Sequence, residues 1–121
     1  MIQVALDTLV VLIAVLHVYF LVLEMFLWTR PLGLKVFGQS EAQAKASAML
    51  AANQGLYNGF LAAGLLWSVF HPVDAMAVQL KLFFLACVVV AGVYGGFTVG
   101  RKILFIQASP AVLALLLIAF S

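Results

Sequence analysis

The stretch "LHVYFLVLEMFLW", Leu16 to Trp28, decides the class of this protein. It is almost solid hydrocarbon, yet it holds one histidine, His17, and one glutamate, Glu24. The apolar run extends back to about Val4, so it exceeds the roughly 20 residues that a helix needs to cross ~30 Å of hydrocarbon. The rest of the chain has the same character. Of its 121 residues, 67% are apolar and 8% are charged, against roughly 25% charged in soluble domains. So few charges cannot cover a water-facing surface, which excludes a soluble helical core and points to an integral membrane protein.

Working outward, three more apolar runs follow, and the spans are expected at about 4–28, 48–70, 78–99 and 103–120. Backbone groups in lipid must bond within their own segment, so each run is expected to be a helix. The chain therefore reads as one all-α transmembrane domain, a four-helix bundle with short loops. Thr29-Arg30-Pro31-Leu32-Gly33 reads as the break after the first helix, because Pro31 disfavours helix at Arg30 and cannot continue one. Ser40-Glu41-Ala42-Gln43 has the form of a capping box, which starts the second helix near Glu41. His71-Pro72-Val73-Asp74 and Gly100-Arg101-Lys102 read as turns, and Pro110 is expected to kink the last helix.

Charge orients the spans. Arg30, Lys35 and Lys45 follow the first span and Arg101 and Lys102 follow the third, whereas the other side has only Lys81. The positive-inside rule places the five in the cytoplasm and both termini outside. Trp28 and Trp67 fit the two interfacial belts, and Asp7 reads as a solvated residue near the outer end. A net charge of +2 without basic blocks excludes a nucleic-acid surface. The single cysteine, Cys87, forms no internal disulfide and reads as a small packed residue. The N-terminus lacks the basic start and the cleavage site of a signal peptide, so it is expected to be a retained span.

Small residues recur every four positions at Gly55, Gly59 and Ala63, and again at Gly92, Gly96 and Gly100. Such ridges permit close backbone approach in lipid, and the second and third spans are expected to pack through them. Both stretches contain Gly-x-Tyr-x-Gly-Phe, 37 residues apart, for which coincidence of composition is the simpler reading.

The polar residues carry the functional question. His17, Glu24 and Trp28 fall within about 20° of one line on an ideal helix, with His17 and Glu24 roughly 10 Å apart along the axis. Asn53 and Gln54 from the second span and Gln107 from the fourth are expected at the depth of Glu24, Tyr57, Asn58 and Tyr94 somewhat deeper, and Thr98 on the same face of the third span as Tyr94. Together these ten residues are expected to line a cytoplasm-facing pocket. A charged group inside a span is expensive and functional by default. Glu24 is expected either as a neutral acid or as an anion held by amide and phenol donors. Interhelical glue is the competing reading, since amide and phenol groups often bond between helices. No paired-His, HExxH or Cys/His pattern exists, and haem and dinucleotide motifs are absent, so no metal or cofactor is expected.

The chain resembles a family of small bacterial four-span membrane proteins known as a domain of unknown function. The resemblance rests on His17, the run Glu24-Met25-Phe26-x-Trp28, Pro31, Phe37 and above all Asn53-Gln54-Gly55-x-Tyr57-Asn58-Gly59. It implies the fold and a bacterial inner-membrane location. It implies no established activity, although some members carry an epimerase label.

Three functions remain open from sequence. The first is a pocket that binds or transports a small polar or amphipathic molecule, with Glu24 and His17 coupling it to protons. The second is an intramembrane isomerase in which the same two residues act as acid and base on a lipid-soluble substrate. The third is a structural or assembly protein. The partners expected are the bilayer, an unidentified small molecule and a further copy of the chain.

Overall fold

The computed structural model describes residues 1–121 and is all helical. Five helices follow in order: α1 (Ile2–Met25), α2 (Pro31–Phe37), α3 (Glu41–Phe70), α4 (Asp74–Thr98) and α5 (Arg101–Ala119). Three of them, α1, α4 and α5, are long and apolar enough to cross a bilayer. The longest, α3, has 30 residues but falls outside that set. Asn53, Gln54 and Asn58 dilute the apolar half that would otherwise qualify.

Local chemistry sets the boundaries. α1 stops at Met25 rather than Trp28, with Leu27 N–H reaching back to the Val22 carbonyl. Trp28 therefore lies beyond the helix, and the expected stripe shortens to His17 and Glu24. Pro31 breaks the chain as expected, but it also begins a helix that the sequence reading missed. Its missing N–H and fixed φ suit the first helical position, and Arg30 before it is extended, at φ −85° and ψ 162°. The helix ends at Gly38, whose φ of 61° is left-handed and costs a glycine little.

The capping box is present in both directions: Gln43 N–H donates to Ser40 Oγ at 3.1 Å, and Ser40 N–H donates to Gln43 Oε1 at 3.0 Å. The next turn is held by Val73 N–H donating to His71 Nδ1 at 3.0 Å. Pro110 is preceded by a π-helical turn over Leu104–Ala108, so the helix widens there. A proline removes one hydrogen bond and crowds the carbonyl four residues back, and a wider turn accommodates both effects.

The chain forms two compact units: Val15–Ala62, and Met1–Ala14 together with Ala63–Ser121. In the first unit, α3 lays Gly55 and Gly59 against α1. A Cβ on Gly55 would stand 2.7 Å from Met25 Cγ and 3.1 Å from Glu24 Cβ, and one on Gly59 would stand 2.8 Å from Leu21 Cδ1. In the second unit, α4 lays Gly92, Gly95 and Gly96 against Ala108, Ile103 and Leu104 of α5. The two glycine ridges therefore do not join the second and third spans to each other, contrary to the expectation from sequence. Each ridge packs on a different helix, and α3 meets α4 through Gly64, whose missing side chain is replaced by the Phe84 ring.

Candidate functional site: a buried carboxyl and amide

Within Val15–Ala62, the glycine ridge positions the polar pair. With no side chain at Gly55, the α3 backbone comes close enough to Glu24 for the next residue on that side, Asn58, to reach it. Asn58 Nδ2 donates to Glu24 Oε1 at 2.5 Å, with Glu24 3% and Asn58 8% exposed. His17 is fully buried two turns deeper along α1, with its ring edge-on to Phe20 at 5.6 Å between centroids. The carboxyl and the amide touch directly rather than across an open pocket. Hydrogen bonds of this kind inside a membrane contribute about 0.6 kcal/mol on average and up to roughly 1.7.

The other candidate residues divide between the interior and the outside of the chain. Trp28 is half-buried, donates its indole N–H to Ser47 Oγ at 3.2 Å and packs on Phe37 at 4.8 Å. Asn53, Gln54 and Tyr57 lie on the exposed side of α3, away from the Glu24 contact. Gln107, in the π turn of the second unit, is buried, whereas Tyr94 and Thr98 of the same unit are exposed. Thr98 bonds back to the Tyr94 carbonyl of its own helix, and Tyr94 borders an open apolar groove of about 480 Å³ along Phe83, Ala86, Cys87, Val90 and Ala91.

One ionisable cluster escaped the sequence reading. Lys81 is not a boundary residue facing outward; it is 2% exposed and pairs with Asp7 Oδ1 at 3.1 Å. It also donates to the Ser68 carbonyl at 3.3 Å, and Gln3 Nε2 donates to Asp7 at 3.2 Å. Asp7 is therefore paired, with 33% of its side chain exposed, rather than simply solvated. Spacing carries the missed signal, because the buried positions of α4 are Ala77, Lys81, Leu85, Val88 and Gly92. These steps of three and four residues trace one helix face, and the lysine lies in the middle of an apolar stripe.

Chemically, Glu24 and Asn58 offer a carboxyl and a primary amide to any group that can exchange hydrogen bonds with them. No group of three or more His, Cys, Asp or Glu side chains is arranged to hold a metal ion.

Residues 11–119 match a family model described as "Protein of unknown function (DUF1304)". The chain belongs to the DUF1304 family. This member is 29% identical over 107 residues to a Lactococcus lactis protein described as "Uncharacterized protein YpaA", covering 87% of this chain and 88% of that one. No solved structure matches the chain. The family adds no activity to what the residues say, so the DUF1304 member is read from its own side chains.

Proposed function

We propose that this chain is a four-span protein of the bacterial inner membrane that binds a small polar or amphipathic molecule at Glu24 and Asn58 and moves it with linked proton exchange. The observation that carries the reading is the buried carboxyl itself. Glu24 sits in an apolar helix and is bonded to a neutral amide. A carboxyl retained within a span marks an ion or substrate path by default. Separation of the Asn58 amide from Glu24, by thermal opening of the single bond or by a competing ligand donor, would expose the carboxyl to proton exchange. His17, on the same face of α1, supplies a second proton-carrying group.

The four spans rest on the position of α3. Its 30 residues reach about 45 Å at 1.5 Å each, and Gly55 and Gly59 lie against Leu21, Glu24 and Met25 of the apolar α1. Parity tests this directly. Four crossings put Gln3 and Ser121 on the same side, whereas three put them on opposite sides. Single cysteines placed at these positions by Gln3→Cys and by Ser121→Cys, in a Cys87→Ala background, are expected to react together with a membrane-impermeant maleimide added outside. Labelling at only one of the two positions rejects four spans.

Proton linkage has its own test. In vesicles loaded with a pH-sensitive dye and energised by a potassium gradient with valinomycin, the wild type is expected to acidify the lumen faster than protein-free vesicles. Glu24→Gln keeps the size and the hydrogen bond of the site but cannot titrate, so its rate is expected to fall to the protein-free level. Equal rates in wild type and Glu24→Gln would reduce the pair to interhelical glue.

A further inference from the structure

We propose that α2 is a membrane-surface element that binds anionic phospholipid through Arg30 and Lys35 while Leu32 and Val36 enter the acyl boundary. Its location follows from covalent geometry, since α2 begins six residues after the end of the 24-residue apolar α1. It is also fastened there. Gly33 is buried with its backbone against the Leu27 carbonyl, where a Cβ would collide. Phe37 packs against Trp28 with its ring tilted, and Trp28 bonds Ser47 at the foot of α3. A seven-residue helix could not hold itself on a membrane, but one tied to the end of a span is already placed at the surface.

The outward side of α2 is amphipathic in the sense a bilayer surface needs. At 100° per residue, Gly33, Leu34 and Phe37 share the inward side, and Leu32, Lys35 and Val36 share the other. Leu32 and Val36 are 47% and 39% exposed, and Lys35 and the adjoining Arg30 are also exposed. No carboxylate pairs with either cation, whereas the nearby Lys45 is matched by Glu41 at 3.1 Å. Two free cations beside two exposed aliphatic side chains, at the end of a span, are complementary to an anionic headgroup layer over acyl chains.

The test uses the full chain in detergent, with bound phosphatidylglycerol and phosphatidylcholine compared by native mass spectrometry. The wild type is expected to prefer phosphatidylglycerol. Arg30→Gln with Lys35→Gln is expected to weaken that preference about 30-fold, at about fivefold per cation near a lipid surface. Arg101→Gln with Lys102→Gln is expected to leave most of it. A second measurement is independent of charge. Val36→Cys in a Cys87→Ala background, labelled with bimane in phosphatidylglycerol vesicles, is expected to emit as in an apolar medium and to be quenched by brominated acyl chains. Water-like emission, or a preference that follows Arg101 and Lys102 instead, overturns the proposal.

Discussion

Asp7→Leu should destabilise the protein by about 3 kcal/mol, the lower end of the range for stripping one partner from a buried ion pair. Lys81 is 2% exposed and pairs with Asp7, so removing the carboxylate strands an ammonium among apolar side chains with the Ser68 carbonyl as its remaining partner. The loss exceeds what the attraction itself contributes, because desolvation of the lysine has already been incurred. Lys81→Met should be milder, since Asp7 has 33% of its side chain exposed and can turn to water. The double variant, Asp7→Leu with Lys81→Met, should recover to within about 1 kcal/mol of the wild type or exceed it, as buried pairs replaced by apolar side chains often do. Unfolding in mixed micelles, followed by circular dichroism for all four proteins, gives the coupling. Additive losses would mean that the two charges do not depend on each other.

The same pair shows where sequence reading stops. A charge count assigns every lysine of a membrane protein to a loop unless periodicity overrides it, and Lys81 needed the Ala77–Gly92 stripe to be seen as inward. Signals whose chemistry is local were legible. Ser40 and Gln43 cap each other because both partners lie within one turn, and His71-Pro72-Val73 separates α3 from α4. The need of a buried carboxyl for a polar partner is legible at Glu24, and the Asn58 amide supplies that partner. What remained hidden depends on direction and partner rather than on residue type. A glycine ridge announces close approach but has no side chain to select its neighbour, so Gly55 and Gly92 each met a different helix from the one expected. Amides and phenols likewise do not reveal which way they face, and Asn53, Gln54 and Tyr57 turned outward while Asn58 turned inward. Pro31 signals equally the helix it ends and the helix it begins, and only the first of these is decided by the proline alone.

Of the two ridges, the one at Gly92 meets backbone more closely, and it gives the second large effect. Gly92→Ala would place a Cβ 2.7 Å from the backbone nitrogen of Ala108, 2.8 Å from its Cβ and 3.1 Å from its Cα. A backbone atom cannot rotate away, so α4 and α5 must separate. Overpacking of this kind costs about 3 kcal/mol at the upper end of its usual range. The gain in helix propensity from Gly to Ala returns about 1, leaving a net loss of about 2. Gly95→Ala should cost less, because the one atom it meets closely is a side-chain methyl, Ile103 Cγ2 at 2.8 Å, and not backbone. Gly100→Ala should be near neutral: nothing lies within 4 Å of its Cβ position, and its φ of 166° is extended backbone. A compensating change sharpens the test. Adding Ala108→Gly to Gly92→Ala removes the clash with the Ala108 Cβ but not the one with its nitrogen, so thermal unfolding should show partial recovery. Full recovery would mean that the side-chain contact alone set the spacing of the two helices. No recovery would mean that the backbone contact alone sets it.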